Sequence, residues 1–285
     1  ERIPLDFVTR HHYTTEVPET AGHYGYVKLR EPEEGFENLQ STRDIVDSFT
    51  QYRGLEIHIT EFNTSYVPNC PLHDTNQNAA YIAHQLSRLG DVNESYWTFG
   101  DIFEEFGVPF TPFHGGFGLV ANGGIPKPTF WTFRFFKELQ GTCVHRSEDA
   151  VIVKRGDGSY RGAAWNRTMN GSGETLELEF LLPMEAKQEN AGECCILTKT
   201  VDEVTCNPLK LWHDMGEPSS LSEAQKKLLK EGAKPFVETH REHLVDGKVQ
   251  ISLMVRENGV VYFEVFPVKD GSDRGYSYQK AVGRK

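Results

Sequence analysis

Two short apolar runs of this 285-residue sequence end in side chains that could do chemistry. The run Ile57-His58-Ile59-Thr60-Glu61 brings a glutamate to the end of an alternating apolar pattern. A carboxyl group that is partly removed from water where a strand meets its loop can serve as a nucleophile or as an acid. From position alone, a strand-end glutamate in a structural ion pair is slightly favoured over this interpretation.

The second run, Glu94-Ser95-Tyr96-Trp97, ends in an aromatic residue that is followed by acids. Trp97 closes the run, and Asp101, Glu104 and Glu105 come shortly after it. An indole face stacks on the CH face of a sugar ring, and carboxylates accept hydrogen bonds from sugar hydroxyls. A core tryptophan beside a solvated acidic loop is the alternative. Together with Glu61, the pattern favours a carbohydrate site.

A third polar cluster, Arg10-His11-His12-Tyr13, ends the first apolar run of the chain. A histidine pair can indicate zinc, but no third ligand stands at a useful spacing. His11 and Tyr13 are therefore predicted to orient a catalytic group or contact substrate. No metal and no organic cofactor is predicted.

The glycine-rich run His114-Gly115-Gly116-Phe117-Gly118 resembles two known functional loops, and both interpretations fail. An esterase oxyanion loop requires a GxSxG elbow, and the sequence contains none. A phosphate loop requires a following GK[ST], which is also missing. A tight turn with a close backbone approach is predicted instead.

The first half of the chain alternates strand and helix patterns three times. Apolar periodicity predicts strands over 5–13, 55–62 and 94–99, and helices over 37–49, 75–89 and 128–139. Such alternation predicts parallel strands joined by crossovers. Three units in about 140 residues cannot close an eight-stranded barrel, which takes about 250.

The second half reads as antiparallel β. Strand runs are predicted at 151–153, 162–165, 176–180, 251–255 and 260–265, with turns such as Asp157-Gly158 and Asn258-Gly259 between them. One helix, 222–232, interrupts them, with Ser222 as its N-cap. The predicted fold is α/β plus all-β, with an α/β domain over residues 1–141 and a β-sandwich over 142–285.

Composition limits the classes of partner. The net charge of −11 argues against nucleic acid and anionic membranes, and no apolar run is long enough to span a bilayer. The chain opens at Glu1 on an apolar run without a leader pattern. It is therefore predicted to be a processed product or a piece of something longer, of cytoplasmic location.

Around the candidate residues, the sequence resembles glycoside hydrolase family 39, and in particular its bacterial β-xylosidases. The resemblance is dense over residues 5–140 and looser afterwards, where Ala164-Trp165-Asn166 still fits. The matching runs are Asp6–His11, His58–Tyr66, Asn78–Ala83, Ser95–Phe99, Phe103–Glu105, Phe113–Leu119 and Ile125–Phe130.

The resemblance implies a retaining glycosidase on a (β/α)8 TIM barrel with an appended β-sandwich, acting on xylo-oligosaccharides. Glu61 then ends barrel strand seven as the nucleophile, and Trp97 ends strand eight as the floor under the sugar. The residues assigned to contacts with the nucleophile or with sugar are His11, Tyr13, Tyr66, Glu104 and Glu105. Tyr13 would help to keep the nucleophile ionised.

The sequence departs from the family at one decisive point. The acid/base glutamate of the family lies in an Asn-Glu-Pro run at the end of strand four, and no such tripeptide occurs here. The chain is thus predicted to form a partial barrel, which consists of strands six to eight, followed by the sandwich. It is expected to be inactive alone and to associate through its open edge with the missing N-terminal half or in a homo-oligomer.

Two other functions remain open from the sequence. A family 39 enzyme acting on a uronide, resembling α-L-iduronidase, would need basic residues for the substrate carboxylate, whereas the loop here supplies Glu104 and Glu105. A non-catalytic carbohydrate-binding module would keep Trp97 and the acids without an acid/base residue.

Overall fold

The α/β half forms the three predicted strand–helix units. The structure, a computed structural model, describes residues 3–89, 92–102, 107, 110–169, 171–184, 192–268 and 275–283. Its elements in this half are β1 (Phe7–Tyr13), β2 (Glu19–Ala21), β3 (Tyr24–Tyr26), α1 (Pro32–Ser48), β4 (Glu56–Asn63), α2 (Asn76–Leu89), β5 (Asn93–Tyr96), β6 (Val120–Ala121), β7 (Ile125–Pro126) and α3 (Pro128–Glu138), with short 3₁₀ turns at Thr50–Tyr52 and Pro71–Asp74.

Two boundaries in this half differ from the sequence prediction by three or more residues. Helix α1 begins at Pro32 instead of residue 37, because proline is well suited to the first helical position and Glu33 and Glu34 lie in the favourable first turn. Strand β5 ends at Tyr96, three residues earlier than predicted.

The parallel sheet, in the order β1-β4-β5, has one covered and one open face. Ile59 and Phe62 of β4 pack with Ile82 of α2, and side chains of α1 and α3 complete this core. The opposite face carries Phe7, which is 49% exposed and stacks on His58. Parallel sheets are normally covered on both faces. Among the residues that the structure describes, the face that carries Phe7 is instead left exposed.

The register between β1 and β4 shifts by one residue just before the end of the strands. Arg10 lies beside Ile59, but the next residue, His11, lies beside Glu61, so that Thr60 is an additional residue of β4. A strand alternates its side chains between two faces. The extra residue therefore places Glu61 on the face opposite Ile59, where regular alternation would have placed both on the helix-covered side.

The second half contains β8 (Thr142–Arg146), β9 (Ala150–Lys154), β10 (Tyr160–Trp165), β11 (Leu176–Pro183), β12 (Glu193–Val201), α4 (Pro208–Asp214), α5 (Glu223–Gly232), β13 (Phe236–His243), β14 (Lys248–Val255), β15 (Val260–Pro267) and α6 (Tyr278–Ala281). All five predicted strand runs are confirmed. So is the helix after Ser222, whose side chain forms a capping box with Gln225. The prediction of a single helix in this half was wrong, because α4 and α6 are also present.

Strands β12 and β13 and helix α4 escaped prediction for physical reasons. Every residue of β13 is exposed, so the strand has no apolar alternation. Strand β12 mixes Cys194 and Ile196 with polar residues along its length. Helix α4 has only seven residues and is started by the Asn207 side chain, which accepts from the Lys210 amide.

The antiparallel sheet β13-β12-β15-β10-β9-β8 packs one face on the two-stranded sheet β11-β14 and the other on the α/β half. Ala79, Ala80 and Ala83 of α2 pack on the face of the antiparallel sheet that meets the α/β half. Phe135 of α3 stacks on Tyr262 there, with 5.3 Å between the ring centroids. Helices α2 and α3 thus lie between the parallel and the antiparallel sheet, and the two halves share a core. Within the described ranges, none of the helices has the length and apolar character needed to cross a bilayer.

Candidate active site

The Glu61 carboxylate is held in place by two side chains of the neighbouring strand β1. The Tyr13 hydroxyl donates a hydrogen bond of 2.9 Å to Glu61 Oε2, and His11 Nδ1 lies 3.1 Å from the same oxygen. His11 and Tyr13 are two residues apart on β1, so both project to the same face as Glu61. The Glu61 side chain is 26% exposed, which leaves it accessible while its direction is fixed by its neighbours.

Tyr66 completes this cluster from the loop after β4. Its ring meets that of Tyr13 edge-on, with 6.4 Å between ring centroids, and it is 48% exposed. The structure thus brings together four of the predicted site residues: His11, Tyr13, Glu61 and Tyr66. Glu104 and Glu105, which were predicted to contact sugar hydroxyls, lie outside the described residues.

Trp97 is tied to the residues directly after Glu61. Its backbone amide donates to the Phe62 carbonyl at 3.0 Å, and the Asn63 side-chain amide donates to the Trp97 carbonyl at 2.6 Å. Trp97 is half-buried, and its peptide bond to Thr98 is cis. The tryptophan and the glutamate therefore lie at the carboxyl ends of adjacent parallel strands, where open α/β sheets and barrels place their sites.

A buried polar network under this edge was not predicted from the sequence. Asn63 Oδ1 accepts from the Thr64 amide, the Thr64 hydroxyl contacts Asn78 Oδ1 at 2.5 Å, and Asn78 donates to Thr129 Oγ1. His73 faces the Ser65 and Gly115 carbonyl oxygens. The signal available in the sequence was the unbroken polar run Asn63-Thr64-Ser65 directly after a buried strand.

The glycine-rich run makes the close backbone approach that its composition predicts. Gly115 has φ +76°, and a Cβ there would overlap the backbone of Cys70. A Cβ at Gly118 would overlap the backbone of Gly100. The Phe117 carbonyl between them accepts from the Thr98 amide at 3.2 Å and from the Asn63 side chain at 3.3 Å. The loop therefore packs directly against the segment that carries Trp97.

Lys127 is a further residue that sequence analysis did not assign. Its side chain is completely buried, and Nζ lies 2.6 Å from Asp74 Oδ1 and 2.7 Å from Asp101 Oδ2. Burial alone would lower the pKa of Lys127, but the two aspartates raise it above its ordinary value. The sequence signal was a charged residue placed between Pro126 and Pro128 in an apolar run.

Metal binding does not account for the arrangement of the described side chains. Among them, no group of three or more histidine, cysteine, aspartate or glutamate residues has the geometry to hold a metal ion. What the site offers is an accessible carboxylate, with one hydroxyl donor and one imidazole nitrogen beside the same oxygen, and an indole on the adjacent strand. This set can attack an electrophilic carbon and pack against an apolar ring face.

The chain is similar to known proteins in both sequence and structure. The sequence profile described as Glycosyl hydrolases family 39 matches residues 1–250. The chain is 38% identical over 275 residues to a beta-xylosidase of Geobacillus stearothermophilus. The match covers 94% of this chain and 53% of that protein. It is 29% identical over 232 residues to a beta-xylosidase of Caldicellulosiruptor saccharolyticus, with 78% of this chain and 46% of that protein covered.

A solved structure gives the same result. The GH39 enzyme of Xanthomonas axonopodis pv. citri is similar with a TM-score of 0.80 and 26% identity, over 93% of this chain and 55% of that one. The chain therefore spans about half the length of the relatives that it matches.

Proposed function

The chain belongs to glycosyl hydrolases family 39, and on that basis we propose that it forms part of a retaining β-xylosidase acting on xylo-oligosaccharides. It supplies the nucleophile, Glu61, and the indole of Trp97 that stacks under the sugar ring. The observation that carries the proposal is the pair of contacts on Glu61 Oε2 from Tyr13 and His11. The Tyr13 hydrogen bond and the neighbouring His11 ring engage Oε2, which would leave Oε1 for the attack on the anomeric carbon.

In the proposed first step, a Glu61 oxygen forms a bond to the anomeric carbon as the bond from that carbon to the leaving oxygen breaks. The electron pair leaves with the oxygen, which takes a proton from an acid. The deprotonated acid then takes a proton from water as the water oxygen bonds to the anomeric carbon and the bond from that carbon to Glu61 breaks, which releases xylose with retained configuration. Such enzymes hold their two carboxyl groups about 5–5.5 Å apart. Trp97 would stack under the sugar ring.

The acid is proposed to lie outside these 285 residues. No Asn-Glu-Pro run occurs in the sequence, and the chain covers 53% of the Geobacillus relative. Residues 1–141 would then be barrel strands six to eight, and residues 142–285 the sandwich. The open face that carries Phe7, His11 and Tyr13 supports this proposal, because it has the character of a barrel interior without its remaining strands.

The proposed partner is therefore the remaining part of the barrel, with xylo-oligosaccharide as the substrate. A net charge of −11 argues for a neutral sugar over an anionic one. The same charge argues against nucleic acid and anionic lipid as partners.

A substrate that needs no acid separates the role of Glu61 from that of the missing residue. With 2,4-dinitrophenyl 2-deoxy-2-fluoro-β-xyloside, the leaving phenolate departs without protonation and the fluorine slows hydrolysis of the adduct. We expect the chain to gain the mass of one fluoropentosyl group on the peptide containing Glu61. Glu61→Gln should gain none, whereas Glu56→Gln, an exposed residue on the same strand, should be labelled like the wild type.

The second arm uses xylobiose, whose leaving group does require an acid. The chain alone is expected not to cleave it, and adding in trans the part of the Geobacillus protein that this chain does not cover is expected to restore cleavage. Hydrolysis of xylobiose by the chain alone would show that the acid is present. Calorimetric binding of xylobiose without any labelling would identify a non-catalytic carbohydrate-binding module instead.

A further inference from the structure

We infer that Lys127 is a positioning residue of this site, which sets the place of Trp97 by anchoring Asp101 and the loop 115–118. The inference rests on the proposed function only for the role of Trp97 as a sugar floor. The link from Lys127 to the Trp97 segment stands on contacts described in this structure.

The buried ion cluster is not explained by stability alone. Lys127, Asp74 and Asp101 are all at most 2% exposed, and Lys127 Nζ also donates to the Gly116 carbonyl at 2.8 Å. Removing three charges from water is costly, and apolar side chains of similar volume often stabilise a core as well or better. Buried ionic groups are best attested where they fix one arrangement of neighbouring segments.

Each aspartate has a second contact, and both contacts fall on the glycine loop. Asp74 Oδ2 accepts from the Gly115 amide at 2.8 Å, and Asp101 Oδ1 accepts from the Gly118 amide at 2.7 Å. Together with the Lys127 contact to Gly116, three polar groups hold three of the four residues 115–118. They come from three places in the chain: the 3₁₀ turn before α2, the loop after β5, and the residue before α3.

The loop 115–118 and the residue after it are in turn hydrogen-bonded to Thr98, the residue after Trp97. The Phe117 carbonyl accepts from the Thr98 amide at 3.2 Å, and the Leu119 amide donates to the Thr98 carbonyl at 3.1 Å. Asp101 also donates its own backbone amide to the Val120 carbonyl at 2.9 Å. The residue that directly follows Trp97 is thus fixed on both sides by the loop that Lys127 anchors.

The loop packs closely against Asp101 and Gly100. A Cβ at Gly116 would overlap the Asp101 carboxylate, and a Cβ at Gly118 would overlap Gly100 and the Asp101 amide. A displacement of Asp101 would therefore be transmitted to the loop and to Thr98. Asp74 is bonded to Gly115, at the far end of the loop from the contact with Thr98.

This difference supplies a matched pair of variants. Asp101→Asn and Asp74→Asn each remove one carboxylate charge from the same lysine and keep an amide oxygen as acceptor. The measurement is the indole signal of Trp97 in ¹⁵N-tryptophan-labelled chain, assigned with Trp97→Phe. Trp165, buried between the antiparallel sheet and the helices, serves as the internal reference. Thermal unfolding of each variant is recorded in parallel.

We expect Asp101→Asn to shift or broaden the Trp97 signal, and Asp74→Asn to do so clearly less. The two variants should lower the melting temperature by comparable amounts. Lys127→Met should shift the Trp97 signal as well. If that variant fails to fold, Asp101→Asn carries the test, because Lys127 keeps one aspartate partner in it. A Trp97 signal that stays in place in folded Asp101→Asn, or that moves no more than Trp165, overturns the inference.

The outcome for the proposed function is read separately. Titration of the wild-type chain with xylobiose is expected to move the Trp97 signal if this residue is the sugar floor. Should the titration leave that signal unmoved while Asp101→Asn displaces it, the proposed sugar contact fails and the positioning role of Lys127 stands.

Discussion

The Tyr13 hydroxyl reaches Glu61 Oε2 at 2.9 Å because the register between their strands shifts by one residue. Tyr13 lies on the open face of β1 two residues after His11, and the shift turns Glu61 toward that face. Without Thr60 as an additional residue, Glu61 would share the side of Ile59, which the helices cover. The position of the proposed nucleophile thus depends on one local irregularity of β4.

Replacement of Tyr13 by phenylalanine should slow formation of the covalent adduct. A hydrogen bond to a charged group contributes about 1.5–3 kcal/mol, which corresponds to a rate reduction of roughly tenfold to hundredfold. The aromatic contact with Tyr66 is kept in this variant. The measurement is the rate of labelling by the activated fluoroxyloside. Tyr26→Phe, at an exposed tyrosine of β3, is the control and should label at the wild-type rate. An unchanged rate in Tyr13→Phe would contradict the assigned role.

Alanine at Gly115 should destabilise the chain more than alanine at Gly158. Both glycines have a positive φ, +76° and +85°, so both substitutions carry the cost of a left-handed conformation, about 1 kcal/mol. Only at Gly115 would the new methyl group overlap a neighbouring backbone, that of Cys70, whereas Gly158 has open space. Overpacking adds roughly 1–3 kcal/mol. Denaturant unfolding of the two variants measures the difference, and equal losses would show that the loop adjusts freely.

Glu94 of β5 should make the stability of the chain depend on pH between about 4.5 and 7. Burial raises the pKa of its carboxyl group from 4.5 to about 7. The folded chain therefore holds this proton more tightly than the unfolded chain. The resulting stabilisation is fully present below pH 4.5 and is lost as the pH rises through 7.

Glu94→Gln, which stays neutral, should remove this loss. We expect the variant to match the wild type near pH 4 and to exceed it at pH 8 by about 2 kcal/mol, since the group is partly solvated and the full shift is not realised. Urea unfolding at the two pH values gives the comparison, with Glu19→Gln at an exposed position of β2 as the control. A constant difference between variant and wild type across this range would rule out titration of Glu94 as the cause.

Much of the local structure followed from sequence periodicity. The parallel strands, their helices and five strands of the antiparallel half were predicted because their apolar residues recur at helix or strand spacing or form short apolar runs between turn residues. The Ser222 cap and the close approach of the glycine loop followed from residue type alone. Strand β13 escaped prediction because all its residues are exposed.

The chemical character of the site residues was also readable, but their arrangement was not. A period of two carried from Ile57 and Ile59 to residue 61 assigns Glu61 to the helix-covered side, and the shift at Thr60 reverses this assignment. Likewise, nothing local brings Lys127 to Asp74 and Asp101, because these contacts join segments far apart in the chain.

The sequence by itself determined which residue types stand at the ends of the strands and which segments form strands and helices, because both depend on short-range spacing. Only the tertiary structure decided which face Glu61 occupies and that Lys127 anchors the loop beside Trp97. It also decided that helices α2 and α3 join the two halves in one core. The reason is physical: register between strands and burial between distant segments are set by the packing of the whole chain.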